Sequence, residues 1–413
     1  MHTTWLKNKL KSDSKPADTP LSAISFAHAF AGTAPQSSTY LYASDYAKIY
    51  NFPAPRGAVF GIVGFGGGLY GQTTPIPNST YPTFKLILDN RSDIFKSWSL
   101  YGISPSAFPT IYIVQLGAGN VPRYDAATAE NTLDVTTIGA CCPISTATII
   151  LYLAPNTSAG WAAAFRAAIY GTRINRYTTF RPTVISCSWG GPENIWPNND
   201  LVGNGLNKIL SQSTVPICVA TGDSGATNGG RKANVNYPAS SPYVIACGGT
   251  TLVCPTRSYS GQGTTETAWN YSAYSRQGGG GGYSQIYKRP AWQTALAGSQ
   301  PVIAASGMRA IPDIAMNADP ATGIQMYFGG ILRLGYGGTS IVSPAMAALI
   351  GCMNTPSITI AKLYKALAYP PYHDVRSGTI GEGINAVTGY DCCTGIGSID
   401  GKAMLAAILN QKA

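Results

Sequence analysis

The chain has 413 residues with 28 Lys and Arg against 18 Asp and Glu, a formal net charge of +10, yet only 11% of its residues are charged. At roughly 150 residues per domain this length admits two or three domains or one large α/β domain, and no apolar run approaches the length of a membrane-spanning helix. The dense basic cluster KNKLKSDSK (7–15) has no interleaved aromatics, which argues against a nucleic-acid surface, and the scarcity of carboxylates suits life at low pH, because acid unfolding works largely through paired carboxylates.

Residues 1–38 are polar, contain Pro and Ser, and lack sustained periodicity, so they read as a flexible arm or short pro-segment. Within them LSAISFAHAFAGTA has the small and apolar residues of a signal peptide, but the stretch before it carries Asp13 and Asp18. The remainder, 39–413, reads as one folded domain. Short apolar, β-prone runs recur at 57–68, 110–117, 146–155, 182–190, 215–225 and 243–249, with helical candidates at 159–172 and 206–213 between them. Strands alternating with helices imply an α/β fold with a mainly parallel sheet flanked by helices on both faces. Ligands bind such sheets at the carboxyl ends of the strands, where Gly- and Ser-rich turns fall here.

Gly66, Gly68 and Gly71 match a dinucleotide-binding GxGxxG, but the following LYGQTTPIPNSTYPTF has two prolines and no helical pattern, so no cofactor is expected there. AENTLD supplies Glu130 and Asp134 at i and i+4, where side chains meet on consecutive turns. Such pairs are usually a solvated helix face; here Leu133, Val135 and Ile138 follow and set the pair beside a core. Like charges so close raise one proton affinity of the pair toward that of a base. In CVATGDSGATNGG, Asp223 follows a buried strand on a tight glycine turn. It is either an ordinary turn aspartate or a protonated donor to an oxyanion. The pentaglycine at 278–282 reads as a linker or a loop that lets a peptide backbone approach closely.

GYGGTSIVSPAM (335–346) reads as a glycine turn that exposes Ser340 at the start of a helix. A serine nucleophile needs a base, most often histidine. The three histidines are His2 and His28, in the N-terminal stretch, and His373, far downstream beside Asp374, so the base is expected not to be histidine. The nine cysteines show no CxxC spacing; their odd count leaves at least one unpaired, and buried free thiols are the plain reading, with any pairing of the others left open. The sequons at Asn78, Asn156 and Asn270 matter only in a secretory route.

In order along the chain AENTLD, SCSWGGPE (186–193), TGDSGA (221–226), YPASSPYVIACGGT (237–250), GGGYSQ (280–285), IPDIAMNADPATG (311–323) and GGTSIVSPAMAALIG (337–351) resemble the motifs of the sedolisins, the serine-carboxyl peptidases. The resemblance runs from about residue 40 to the C-terminus and implies a subtilisin-like fold in which glutamate replaces histidine. It implies an acid-acting endopeptidase working through an acyl-enzyme on Ser340, with Glu130 as general base, Asp134 orienting it and Asp223 stabilising the oxyanion. The segment HDVRSGTIGEGINAVTGYDCCTGIGSIDG (373–401) is similar to the family's calcium loop. It implies one structural Ca2+ held by the Asp374 and Asp391 carboxylates and the carbonyls of Val375, Val387 and Gly389. Two departures stand out: Gly64 occupies a place where some relatives carry a glutamate that extends the carboxylate chain, and a position near Asn236 that is acidic in some relatives preferring basic residues is neutral here. A monomer acting on polypeptides, secreted or in an acidic compartment, is expected. The alternatives are an idle member serving as a structural or binding component, perhaps packaged in a particle, and a tripeptidyl aminopeptidase.

Overall fold

The computed structural model describes residues 40–117, 121–272, 276–355, 358–366 and 372–410; the arm expected over 1–38 lies outside them. One ten-stranded sheet organises the molecule. Its strands are β1 (Val59–Phe65), β2 (Thr73–Ile76), β3 (Thr83–Leu86), β4 (Thr110–Gln115), β5 (Thr148–Ala154), β6 (Val184–Cys187), β7 (Ile217–Ala220), β8 (Ile245–Val253), β9 (Thr265–Ala268) and β10 (Ile314–Asn317). They lie in the order β9-β8-β7-β6-β1-β5-β4-β3-β2, with β10 also pairing β8. Pairs from β4 through β5, β1, β6 and β7 to β8, and β8 to β10, are parallel. Antiparallel pairs attach β9, β3 and β2 at the margins.

The six apolar runs read from the sequence correspond to β1, β4, β5, β6, β7 and β8. Successive side chains on a strand point to opposite faces, so Phe60 and Ile62 join Leu151 and Leu153 in one core while Val63 and Phe65 join Ile150 and Tyr152 in the other. Helices cover both faces: α1 (Ala43–Ile49), α2 (Asp93–Leu100), α3 (Ala126–Cys141), α4 (Ser158–Tyr170) and α5 (Thr339–Met353). The two helices α3 and α5 pack against each other on the Phe60 face, with α1 and α2 outside α3. On the other face α4 is capped by Thr157, which accepts from Gly160 N, and stacks Trp161 on Phe65.

After Gly66 and Gly71 the chain enters β2 and an antiparallel hairpin rather than a helix, which removes the dinucleotide reading. All nine cysteines are buried free thiols, as expected. Among the described residues no helix is long and apolar enough to cross a membrane.

Candidate active site

Parallel neighbours β6 and β7 end side by side, with Cys187 opposite Val219. The turn after β6 therefore carries Ser188, and the turn after β7 carries Asp223, at the carboxyl end of these central strands. The N-terminus of α5 reaches the same end. Gly338, its N-cap, has φ +91°, a conformation costly for any residue with a side chain. A Cβ there would also run into the Asp223 carboxylate. Thr339 then donates to Asp223 Oδ1 twice, from its amide at 2.7 Å and from its hydroxyl at 2.8 Å, and Gly222 N donates to the same hydroxyl at 2.9 Å. These bonds fix the Asp223 carboxyl beside the residue that follows, Ser340.

The Glu130–Asp134 pair arrives on α3. Asp125 caps that helix, accepting from Thr128 N at 2.8 Å, and every residue from Thr128 to Cys141 is buried. A helix apolar or neutral on all sides belongs in a core, and here it lies between the sheet, α5 and the outer helices. The pair is not a solvated face: Glu130 is 1% exposed and Asp134 0%. Burial is the largest cause holding Glu130 well above the usual carboxylate range, the Asp134 charge adds to it, and the nearby Ser340 hydroxyl pulls the other way. Burial likewise holds Asp134 well above that range, opposed by the Ser188 hydroxyl. Neither Glu130 oxygen makes a hydrogen bond within ordinary limits, so the serine and glutamate face each other without a formed bond. Ser340 Oγ lies 3.5 Å from Ser188 O, at the edge of hydrogen bonding.

The four residues singled out in the sequence thus meet at one end of α5. The glycine turn does not expose Ser340, which is 0% exposed; the Ser188 and Asp223 turns close around the start of α5, whose every residue is buried. Sequence reasoning missed Ser188, whose hydroxyl contacts Asp134, Ser343 and the Ser340 carbonyl. It lies in the quoted SCSWGGPE, but nothing in that motif marks it over its neighbours. His373 stacks on Tyr259 with ring centroids 3.4 Å apart, and burial lowers its proton affinity.

The pentaglycine approaches the chain's own backbone. Gly278 N donates to Asp223 O at 3.0 Å and Gly280 N to Gly222 O at 2.8 Å, so this run braces the Asp223 turn. Its Gly281 in turn packs on the carbonyl of Cys392, in the 373–401 segment. In that segment Asp391 is fully buried. Its Oδ1 accepts from Cys393 N and Thr394 N, both at 2.8 Å, and its Oδ2 from Val387 N at 3.0 Å. Burial pushes its carboxyl up to about 6, and it has no cationic partner among the described residues. Asp374 accepts from Gly389 N at 3.1 Å and pairs with Arg376 at 2.7 Å. Val375 is buried and Val387 exposed. Among the described residues no three His, Cys, Asp or Glu side chains gather around one point, so an ion here would rely on main-chain oxygens.

No family model matches the chain. Kumamolisin of Bacillus sp. (strain MN-32) is 34% identical over 395 residues, 88% of this chain and 63% of kumamolisin. Sedolisin of Pseudomonas sp. (strain 101) is 38% identical over 180 residues, 40% of this chain and 29% of that protein. The chain therefore spans less than two thirds of the length of either relative. A solved structure of Pseudomonas sedolisin, a serine-carboxyl proteinase complexed with two molecules of pseudo-iodotyrostatin, matches with a TM-score of 0.71 at 26% identity. That match covers 91% of this chain and 100% of the solved one. Sequence likeness along most of the chain, joined to a structural likeness that runs the whole of a solved relative, shows that the chain belongs to the sedolisin family and has its subtilisin-like fold.

Proposed function

We propose that the protein is an acid-acting serine-carboxyl endopeptidase. The observation that carries this reading is the meeting of Ser340, the buried Glu130–Asp134 pair and Asp223 at the start of α5. Ser340 Oγ attacks the scissile carbonyl as Glu130 takes its proton, and Asp134 holds the pair at a proton affinity useful in acid. The oxyanion forms beside Asp223 in its acid form, and beside the first N–H groups of α5, which have no carbonyl to bond within the helix. Glu130 returns the proton to the leaving amine, and water then releases the acyl group by the same steps in reverse order. Asparagine at 236 donates to Thr221 O at 2.9 Å and Asn228 Oδ1 at 2.8 Å, so it offers no charge to a basic substrate side chain.

In this reading the 373–401 segment takes one Ca2+, supported by the buried Asp391 carboxylate, which has no cation beside it, and by the hard oxygen donors that suit this ion. Asp374 and Asp391, with the carbonyls of Val375, Val387 and Gly389, would hold it. The ion would supply charge compensation and rigidity to a loop that packs, through Gly281, on the run bracing Asp223.

The test is to incubate the purified protein with a denatured polypeptide at acidic pH and map the cuts, with Ser340→Ala as control. Internal cuts that vanish in Ser340→Ala are expected. Release of tripeptides from the amino end would replace the endopeptidase with a tripeptidyl-peptidase, and cutting by Ser340→Ala would end the mechanism.

A further inference from the structure

α5 contains Pro344. Proline has no N–H, so the carbonyl four residues earlier loses its helical donor, and that carbonyl belongs to Ser340. Buried carbonyls are rarely left unpaired. The replacement donor comes from another part of the chain: Ser188 Oγ lies 3.1 Å from Ser340 O. The same hydroxyl lies 2.6 Å from Asp134 Oδ1 and 2.9 Å from Ser343 Oγ, and Ser188 is fully buried.

A hydroxyl carries one proton, so Ser188 cannot donate to Asp134 and to the Ser340 carbonyl at once. With Asp134 ionised, the 2.6 Å contact takes the proton as a charge-assisted bond. When Asp134 is protonated on that oxygen it becomes the donor, and the Ser188 proton is free to turn to the Ser340 carbonyl. Ser343 has a hydroxyl of its own and can donate to Ser188 in either state. We propose that Ser188 is a positioning residue of this site, holding the Asp134 carboxylate and tying its protonation state to the main chain of the nucleophile. This rests on the reading of Ser340 and Glu130 as the reacting pair.

The groups facing Asp134 are few. Glu130 lies on its own helix, the Cys187 thiol comes from β6 and the Ser188 hydroxyl from the turn after it; Ser343 of α5 reaches Asp134 only through Ser188, while Ser340 and Asp223 act on Glu130. No cationic side chain acts on either carboxylate among the described residues. The Ser188 bond is therefore the interaction that favours ionised Asp134, and its removal raises the proton affinity of Asp134.

The experiment compares Ser188→Ala, Ser188→Cys and Ser188→Thr in the full chain. Peptide-cleavage kcat and KM are measured across the acid range, and infrared spectroscopy follows the Asp134 carboxyl, identified by its loss in Asp134→Asn. For Ala and Cys, kcat falls about tenfold to a hundredfold, as for loss of a hydrogen bond to a charged group, with KM little changed. Their acid limb and the Asp134 infrared titration both move up by about one pH unit. Thr, which keeps the hydroxyl, retains most of kcat and the wild-type limb. If Ala does not fold, Cys, close to serine in volume, carries the comparison. A fall in kcat with unmoved acid limb and infrared titration means a packing role alone and overturns the proposal, as does wild-type behaviour in both variants. The infrared titration reports the Ser188 bond whether or not peptide is cut, whereas cutting by Ser340→Ala would defeat the reading of the site itself.

Discussion

Raising the pH from 5 to 7 is expected to destabilise this protein, and the Glu130–Asp134 pair sets much of the loss. Both carboxyls are held above their usual range, chiefly by burial, while the unfolded chain titrates near about 4. A group whose folded proton affinity is raised contributes stability that is fully present below its unfolded pKa and is lost as pH climbs through the folded one. Each proton kept by the fold and not by the unfolded chain costs about 1.4 kcal/mol per pH unit. Over the two units the loss is on the order of 3 kcal/mol with one proton kept by the pair and the other carboxyl ionised, the state a general base needs. At roughly 1.3 °C per kcal/mol for a folded region of this size, Tm falls by roughly 4 °C through this pair. Asp93, Asp200 and Glu266 are also raised, by burial first, so their contributions have the same sign. The pair is isolated with Glu130→Gln/Asp134→Asn, which cannot ionise: calorimetry at fixed scan rate gives a Tm slope flatter by the stated amount. A stability maximum near neutrality, or equal slopes in wild type and double variant, would refute the reasoning.

Other outcomes follow from the same site. Glu130→Gln and Ser340→Ala each abolish cleavage, and the double variant is no worse than either, because nucleophile and base act as one unit; additive losses in progress-curve assays would contradict this. In Asp223→Asn the amide still donates but cannot ionise, so the alkaline limb of kcat against pH flattens or moves upward, and an unmoved limb would remove Asp223 from the oxyanion role. Gly338→Ala, at φ +91° against Asp223, costs about 1–3 kcal/mol in denaturant unfolding and a larger share of activity; an unchanged midpoint would mean that the turn adapts. With the proposed Ca2+ in the 373–401 segment, chelator lowers Tm in wild type by mass action and much less in Asp391→Ala, whereas equal curves with chelator and excess calcium would mean a loop that binds no ion.

The strands were legible because parallel strands buried on both faces read as continuous apolar runs, and each run found here is a sheet strand. Glu130 and Asp134 were legible as a pair because helical spacing is a local property, yet their depth was not. Burial of α3 depends on α5, some 200 residues away in the chain, packing across it, and on Trp98, whose indole donates to Thr136 O at 3.0 Å. The pentaglycine was legible as a place of close approach, but what approaches it is the turn at 221–225, a tertiary fact. Ser340 looked exposed because glycine turns lie at surfaces, whereas two neighbouring turns cover this one.

Ser188 shows why a polar network escapes a linear reading. Its significance comes from Pro344, which frees a carbonyl by lacking an N–H, and from Asp134, which presents one oxygen to the same point. No spacing rule connects positions 134, 188 and 344. Gly64 bears on the same network from the other side. An ideal Cβ there would sit 2.5 Å from Asn131 Oδ1, while Asn131 is spent on the Gly66 carbonyl at 3.1 Å. A carboxylate at position 64 would have to displace that amide, so the chain of acids closes at Asp134. In a site where desolvation raises both carboxyls, the hydroxyl of Ser188 is then the group that stabilises the charge on Asp134.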